Sequence, residues 1–138
     1  MTPTLNGRWQ TRLLMNLTIG VVFTALFGLA WQDFRTAFVA LAYMTGLGLV
    51  WDVVYIRLQA WRWDHDWPPV LFLLGAMWEM LVLGVAIGME KLPGLAPDYG
   101  VFSLLLHYGT VGLVSFLWMF GPMRVLFPRW RFRGGQWL

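Results

Sequence analysis

The stretch Val70-Leu-Phe-Leu-Leu-Gly-Ala-Met-Trp-Glu-Met-Leu-Val-Leu-Gly-Val-Ala-Ile-Gly88 holds one charged residue, Glu79, at its centre. About 20 apolar residues are needed for a helix to cross a hydrocarbon core roughly 30 Å thick. The stretch meets that length. An acidic side chain at the centre of such a helix costs roughly 2.5 to 3.5 kcal/mol on insertion, so Glu79 requires a compensating partner or a task. Working outward, three further stretches have the same character: Leu13–Ala30, Ala37–Ile56 and Val101–Phe120. All four are continuously apolar, whereas a membrane barrel strand would be about 10 residues long with alternating polarity. The expected fold is therefore all-α: a polytopic membrane protein, one domain over residues 1–138, built as a compact four-helix bundle.

Composition agrees with that class. Hydrophobic residues make up 59% of the chain and charged residues 12%, about half the share of a soluble domain. Leu13–Ala30 follows Arg8 and Arg12, as a signal peptide's apolar region follows a basic one. It is longer than such a region, and no small-x-small cleavage site follows before Trp31-Gln32-Asp33, so it is taken as a spanning helix. There is no cysteine, which excludes disulfides, thiolate nucleophiles and cysteine metal sites.

Basic residues orient the bundle. Arg8, Arg12, Arg57, Arg62, Arg124, Arg129, Arg131 and Arg133 fall on one side of a four-span arrangement, and Arg35 and Lys91 on the other. The positive-inside rule then places both termini in the cytoplasm, in a bacterial inner or other internal membrane. The basic side is expected to meet anionic lipid headgroups rather than nucleic acid.

Polar residues within the spans repeat at helical spacing. Asn16, Gly20, Thr24 and Gly28 line one face of the first span, and Leu41, Thr45, Gly48, Asp52 and Tyr55 one face of the second. Small residues in such stripes let helix backbones approach closely. Gly75, Ala76 and Glu79 share a face of the third span, and Ser103, His107 and Thr110 a face of the fourth. From a rise of 1.5 Å per residue, Asp52 lies about 6–9 Å, Glu79 about 15 Å and His107 about 20 Å from the cytoplasmic boundary. Glu79 and His107 could then meet if their helices are neighbours. Asp52 is expected to pair with Arg12 or Arg124, and Glu79 to be a protonated or hydrogen-bonded glutamate. His107 is expected to be a neutral imidazole bonded to Ser103, Thr110 or Glu79. Asn16, Asp52, Glu79 and His107 together form the candidate intramembrane polar core.

Outside the spans, Met1–Thr11 reads as a short lead with a turn at Asn6-Gly7, and Arg57–Trp67 as a loop whose Trp61, Trp63 and Trp67 suit the headgroup belt. Pro68-Pro69 opens the third helix, Asp64 and Asp66 favour its N-terminus, and Gly121-Pro122 ends the fourth. In the tail, residues 123–138, Arg129, Arg131 and Arg133 alternate with Trp130 and Phe132, so an extended strip would face arginines one way and rings the other. Arg124, Arg129, Trp130, Arg131, Phe132 and Arg133, with Trp61, Arg62 and Trp63, are the candidate lipid- or partner-binding residues.

Three functional classes compete. The favoured one is a non-enzymatic anchor, adaptor or accessory subunit, with a protein partner or a second copy of the chain and no cofactor or bound metal. The second is a proton or ion path through Asp52, Glu79 and His107. The third is an intramembrane enzyme on an isoprenoid or lipid substrate, or a pigment- or haem-binding subunit using His107. Trp51-Asp52 at a helix end, the tryptophan-rich turn and Glu79 in the next helix resemble the small lycopene cyclase subunits. Those carry a Trp-Asp pair and a later Pro-x-Glu-Glu motif, where this chain has Gly75-Ala-Met-Trp-Glu79 with one glutamate and no proline. The resemblance implies a lipid-soluble substrate with Glu79 as acid, but it lacks the paired acids and covers about a fifth of the chain.

Overall fold

The computed structural model of the chain describes residues 2–90 and 92–137. Lys91, counted above among the outer basic residues, and the terminal residues lie outside that set. Among the described residues there are helices and no strands. The first span joins α1, Leu5–Met15, to α2, Val21–Trp31, through a π-helical turn at Asn16–Gly20. Then come α3, Phe34–Trp61, α4, Pro69–Gly88, and α5, Val101–Phe120, followed by the short helices α6, Pro122–Leu126, and α7, Pro128–Phe132. Four helices, Leu5–Trp31, Phe34–Trp61, Pro69–Gly88 and Val101–Leu126, are long and apolar enough to cross a membrane, which suggests a multi-pass membrane protein.

The first helix begins eight residues earlier than the apolar run, so the lead and its Asn6-Gly7 turn are corrected. Thr4 caps it, its hydroxyl accepting from the Gly7 amide at 3.1 Å. Arg8 and Arg12 are helical residues directed into the bundle and not loop charges. The spacing explains how. Arg8, Arg12, Asn16, Gly20, Thr24 and Gly28 recur every four residues. On a regular α-helix each such step overshoots one turn by about 40°, so Arg8 and Gly28 would differ by about 200°. The i→i+5 turn at Asn16–Gly20 absorbs one extra residue, about 100° of rotation, and removes half of that drift. Arg12 and Thr24 can therefore both face inward.

Asp33 caps α3, its carboxylate accepting from the Thr36 amide at 3.0 Å; hydrogen bonding from the Thr36 side chain, and then from that amide, holds its pKa below the usual carboxylate range. The helix runs on to Trp61, five residues past the expected end. Residues 92–100 fold back over its start: the Ala96 amide donates to Thr36 Oγ1 at 3.1 Å, and the Tyr43 hydroxyl to the Pro93 carbonyl at 2.9 Å. Ala40, Leu41, Met44, Leu83, Tyr99, Leu104 and Tyr108 form the core on this side of the bundle.

A second core, of Met15, Met119, Met123 and Trp130, lies at the end carrying the termini. Gly121 ends α5, and the tail turns back through α6 and α7 instead of extending. Trp130 is 2% exposed, and its indole N–H donates to Thr11 Oγ1 at 2.8 Å. Thr11 donates onward to the Gly135 carbonyl at 3.0 Å, the Thr4 amide to the Gly134 carbonyl at 2.9 Å, and the Trp137 amide to Gln10 Oε1 at 2.7 Å. The tail is thus docked along α1. Gly7 makes the closest approach, since a Cβ there would overlap the Gly134 carbonyl.

Candidate functional site

Arg12 is the centre of the polar core. Its Nε and Nη2 donate to the two Asp52 oxygens at 2.8 and 3.0 Å, and its Nη1 and Nη2 to the two Glu79 oxygens at 2.9 and 3.0 Å. One planar guanidinium therefore clamps two carboxylates from α3 and α4, each bidentately, a geometry that lysine could not supply. The Tyr108 hydroxyl of α5 donates to Glu79 Oε2 at 2.8 Å. Four helical segments thus meet at one network. Asp52 and Glu79 are 2% and 1% exposed, and in so dry a place each bond is stronger and each unpaired charge more costly than in water.

Glycines make room for this. A Cβ on Gly48, one turn of α3 before Asp52, would overlap the Arg12 guanidinium. At Gly75, a turn of α4 before Glu79, the Tyr55 hydroxyl donates to the backbone carbonyl at 3.0 Å. The small residues of the α3 and α4 stripes admit a side chain and a hydroxyl at these two points, in addition to easing helix approach.

Arg8, one turn below Arg12, is 5% exposed. It donates to Gln59 Oε1 at 3.2 Å, lies 4.0 Å from Asp52, and stacks over the Trp67 ring with 4.4 Å to the centroid. Gln59 donates in turn to the carbonyls of Pro3 and His65, at 3.2 and 3.0 Å. Trp67, expected in the headgroup belt, is instead buried beside Arg8 and Tyr55.

His107 belongs to a separate cluster. Its Nε2 shares a hydrogen bond with Thr24 Oγ1 at 2.7 Å, and its Nδ1 one with the Tyr99 hydroxyl at 3.2 Å. Phe27 and Trp31 pack against the ring. Burial pushes the Tyr99 hydroxyl well above its ordinary pKa, so it stays protonated. The expected partners Ser103, Thr110 and Glu79 are corrected: similar depth did not imply contact, because rotation of α5 aims Tyr108 at Glu79 and His107 at α2. Asn16 stands apart again, donating to Thr45 Oγ1 at 2.8 Å. The four candidate residues therefore divide into three sites. Asp52 and Glu79 are joined by Arg12, which had been named only as a possible partner of Asp52. Thr24 lies inward with the rest of its stripe, but its bond to His107, and the parts played by Tyr108, Tyr99 and Gln59, have no signal in the helical spacing.

At the end carrying the termini, Trp61, Trp63 and Phe132 are 85%, 90% and 81% exposed. Arg57, Arg129, Arg131 and Arg133 are exposed around them, while Trp130 is turned into the core. Arg124 lies over the Phe120 ring at 4.8 Å and does not reach Asp52 in a hydrogen bond. Arg62 pairs with Asp64 at 2.8 Å, and its hydrogen bonds hold the Asp64 carboxyl below its usual range. Among the described residues no group of three or more His, Asp or Glu is arranged to hold a metal.

A cavity of about 260 Å³ adjoins the network. Arg8, Arg12, Asp52, Glu79 and Tyr108 contribute to its wall, and its lining continues between α4 and α5 as far as Met77 and Leu113. No family model, curated protein or solved structure matches the chain.

Proposed function

We propose that this chain is a non-enzymatic integral membrane protein, an anchor, adaptor or accessory subunit of a larger assembly. The observation that carries this reading is the mutual satisfaction of the polar core. Both carboxylates at membrane depth are held bidentately by Arg12, and Glu79 also accepts from Tyr108. A general acid or base needs a proton it can exchange with substrate, whereas these groups hold α1, α3, α4 and α5 together. Glu79 and His107 sit in separate hydrogen-bonded clusters, which does not favour a continuous proton path.

The partner surface is the aromatic and basic end of the bundle. Exposed Trp61, Trp63 and Phe132 among arginines suit both a headgroup layer and a protein interface. With Arg8 and Arg12 removed from the loop charges, Arg57, Arg62, Arg124, Arg129, Arg131 and Arg133 still outnumber Arg35 and Lys91. That bias supports cytoplasmic termini in a bacterial inner or internal membrane.

The test is affinity purification in mild detergent of the wild type and a Trp61→Ala/Trp63→Ala/Phe132→Ala variant. These side chains are exposed, so the bundle should keep its helicity. The expected result is loss of a co-purifying membrane protein. Retention of the same partners at the same yield, or their absence from the wild type, would sink the reading. Removing residues 129–138 is a poorer test, because it strips Trp130 from the core.

A further inference from the structure

Three buried polar atoms of residues lining the cavity have no partner among the described residues: Arg8 Nε, Trp67 Nε1 and Ser115 Oγ. Arg8 and Trp67 are each 5% exposed and the Arg8 guanidinium lies over the Trp67 ring, so two N–H donors of stacked side chains lack an acceptor. Buried donors left unmatched are rare and costly. The nearby charges do not ask for an anion. Arg8 and Arg12 are balanced by Asp52 and Glu79, and a further negative charge would be buried with no cation of its own. An uncharged acceptor completes the donors without disturbing that balance.

The remaining wall is apolar. Met15, Phe72, Met80, Phe116 and Met119 line it. Met77 and Leu113, at its α4–α5 margin, are 60% and 55% exposed on the face that would meet lipid. A ligand could place its head against Arg8 and Trp67 and pass its tail outward between α4 and α5. A few convergent polar groups in an apolar pocket are the usual form of a small-molecule site.

We infer that this cavity binds an uncharged amphiphile whose head presents carbonyl oxygens to Arg8 and Trp67 and whose apolar tail leaves between α4 and α5. Two membrane sources share that chemistry, a quinone and an acylglycerol. The inference is independent of the adaptor reading, since a partner-binding face and a lipid site can fail separately.

The experiment measures saturable binding to the full chain in lipid nanodiscs with three probes: decylubiquinone, monoolein, and palmitate as the charged control. Trp67→Phe removes the indole N–H together with the five-membered ring while keeping an aromatic side chain, and Leu113→Trp narrows the lipid-side opening at an exposed position. Circular dichroism establishes that each variant is folded, and if Trp67→Phe is not, Leu113→Trp decides alone. Binding of decylubiquinone or monoolein, weakened about 3- to 10-fold by Trp67→Phe and abolished by Leu113→Trp, supports the site and identifies its source. Palmitate binding as tightly as either neutral probe overturns it. So does the absence of saturable binding, or binding that both folded variants leave unchanged.

Discussion

Replacing Trp130 by alanine should unfold much of the end of the bundle that carries the termini. The side chain is 2% exposed and packs with Met15, Met119 and Met123. Loss of a buried aromatic typically costs about 3–5 kcal/mol, the transfer of the ring plus the cavity left behind. The indole N–H also donates to Thr11 Oγ1 at 2.8 Å, and that bond is worth about 1 kcal/mol net. Thr11 keeps its own bond to the Gly135 carbonyl, so the hydrogen-bond loss is the smaller part. Trp130→Phe separates the two: it retains most of the ring and should cost about 1–2 kcal/mol. The assay is reversible unfolding in mixed micelles, followed by circular dichroism. Trypsin cleavage after Arg129, Arg131 and Arg133 gives a second readout, and it should accelerate in Trp130→Ala. A change below about 0.5 kcal/mol with unaltered proteolysis, typical of surface positions, would refute the docked tail.

Other expectations follow from the same packing. Gly48→Val should displace the Arg12 guanidinium and cost about 1–3 kcal/mol by overpacking, while Gly46→Ala, with open space at its Cβ, should be neutral or mildly stabilising in the same unfolding assay. The Asp64 carboxyl should titrate by NMR below an ordinary aspartate, and Arg62→Gln should raise it toward the usual value. Because that pKa is depressed, the pair's stabilisation is present above the ordinary carboxylate range and is lost as pH falls through the folded value. The loop should thus keep its conformation from neutral pH down to about pH 5 and loosen only in stronger acid.

Span positions were legible because they depend on local quantities. Pro69 opens α4 where a missing amide does no harm, and α5 occupies Val101–Phe120 as its apolar run indicates. The N-terminal two turns were misread for a physical reason: an apolar-run criterion treats arginine as a boundary, and Arg8 and Arg12 are interior. The repeat of Arg8, Arg12, Asn16, Gly20, Thr24 and Gly28 every four residues carried the missing signal, since the arginines extend the same stripe. The depth of Glu79 correctly implied a need for compensation, but not which group supplies it. That depended on the rotation of each helix, which set Tyr108 and not His107 beside it. The docked tail had no local signature. Thr11 and Trp130 are far apart in sequence, and alternation of arginine with aromatics is equally compatible with an exposed strip.

The joining of helices by Arg12 is best tested by a double-mutant cycle between Arg12 and Glu79, with Arg12→Met and Glu79→Leu singly and together. Breaking a buried pair from one side costs about 3–5 kcal/mol in soluble proteins, and interhelical hydrogen bonds in membranes average about 0.6 kcal/mol each. Two Arg12–Glu79 hydrogen bonds between charged partners therefore predict a coupling of about 1–3 kcal/mol, with the double variant more stable than the sum of the single losses implies. Single losses that add to within about 0.5 kcal/mol would mean that Arg12 and Glu79 do not act on each other, and the network as described would be wrong.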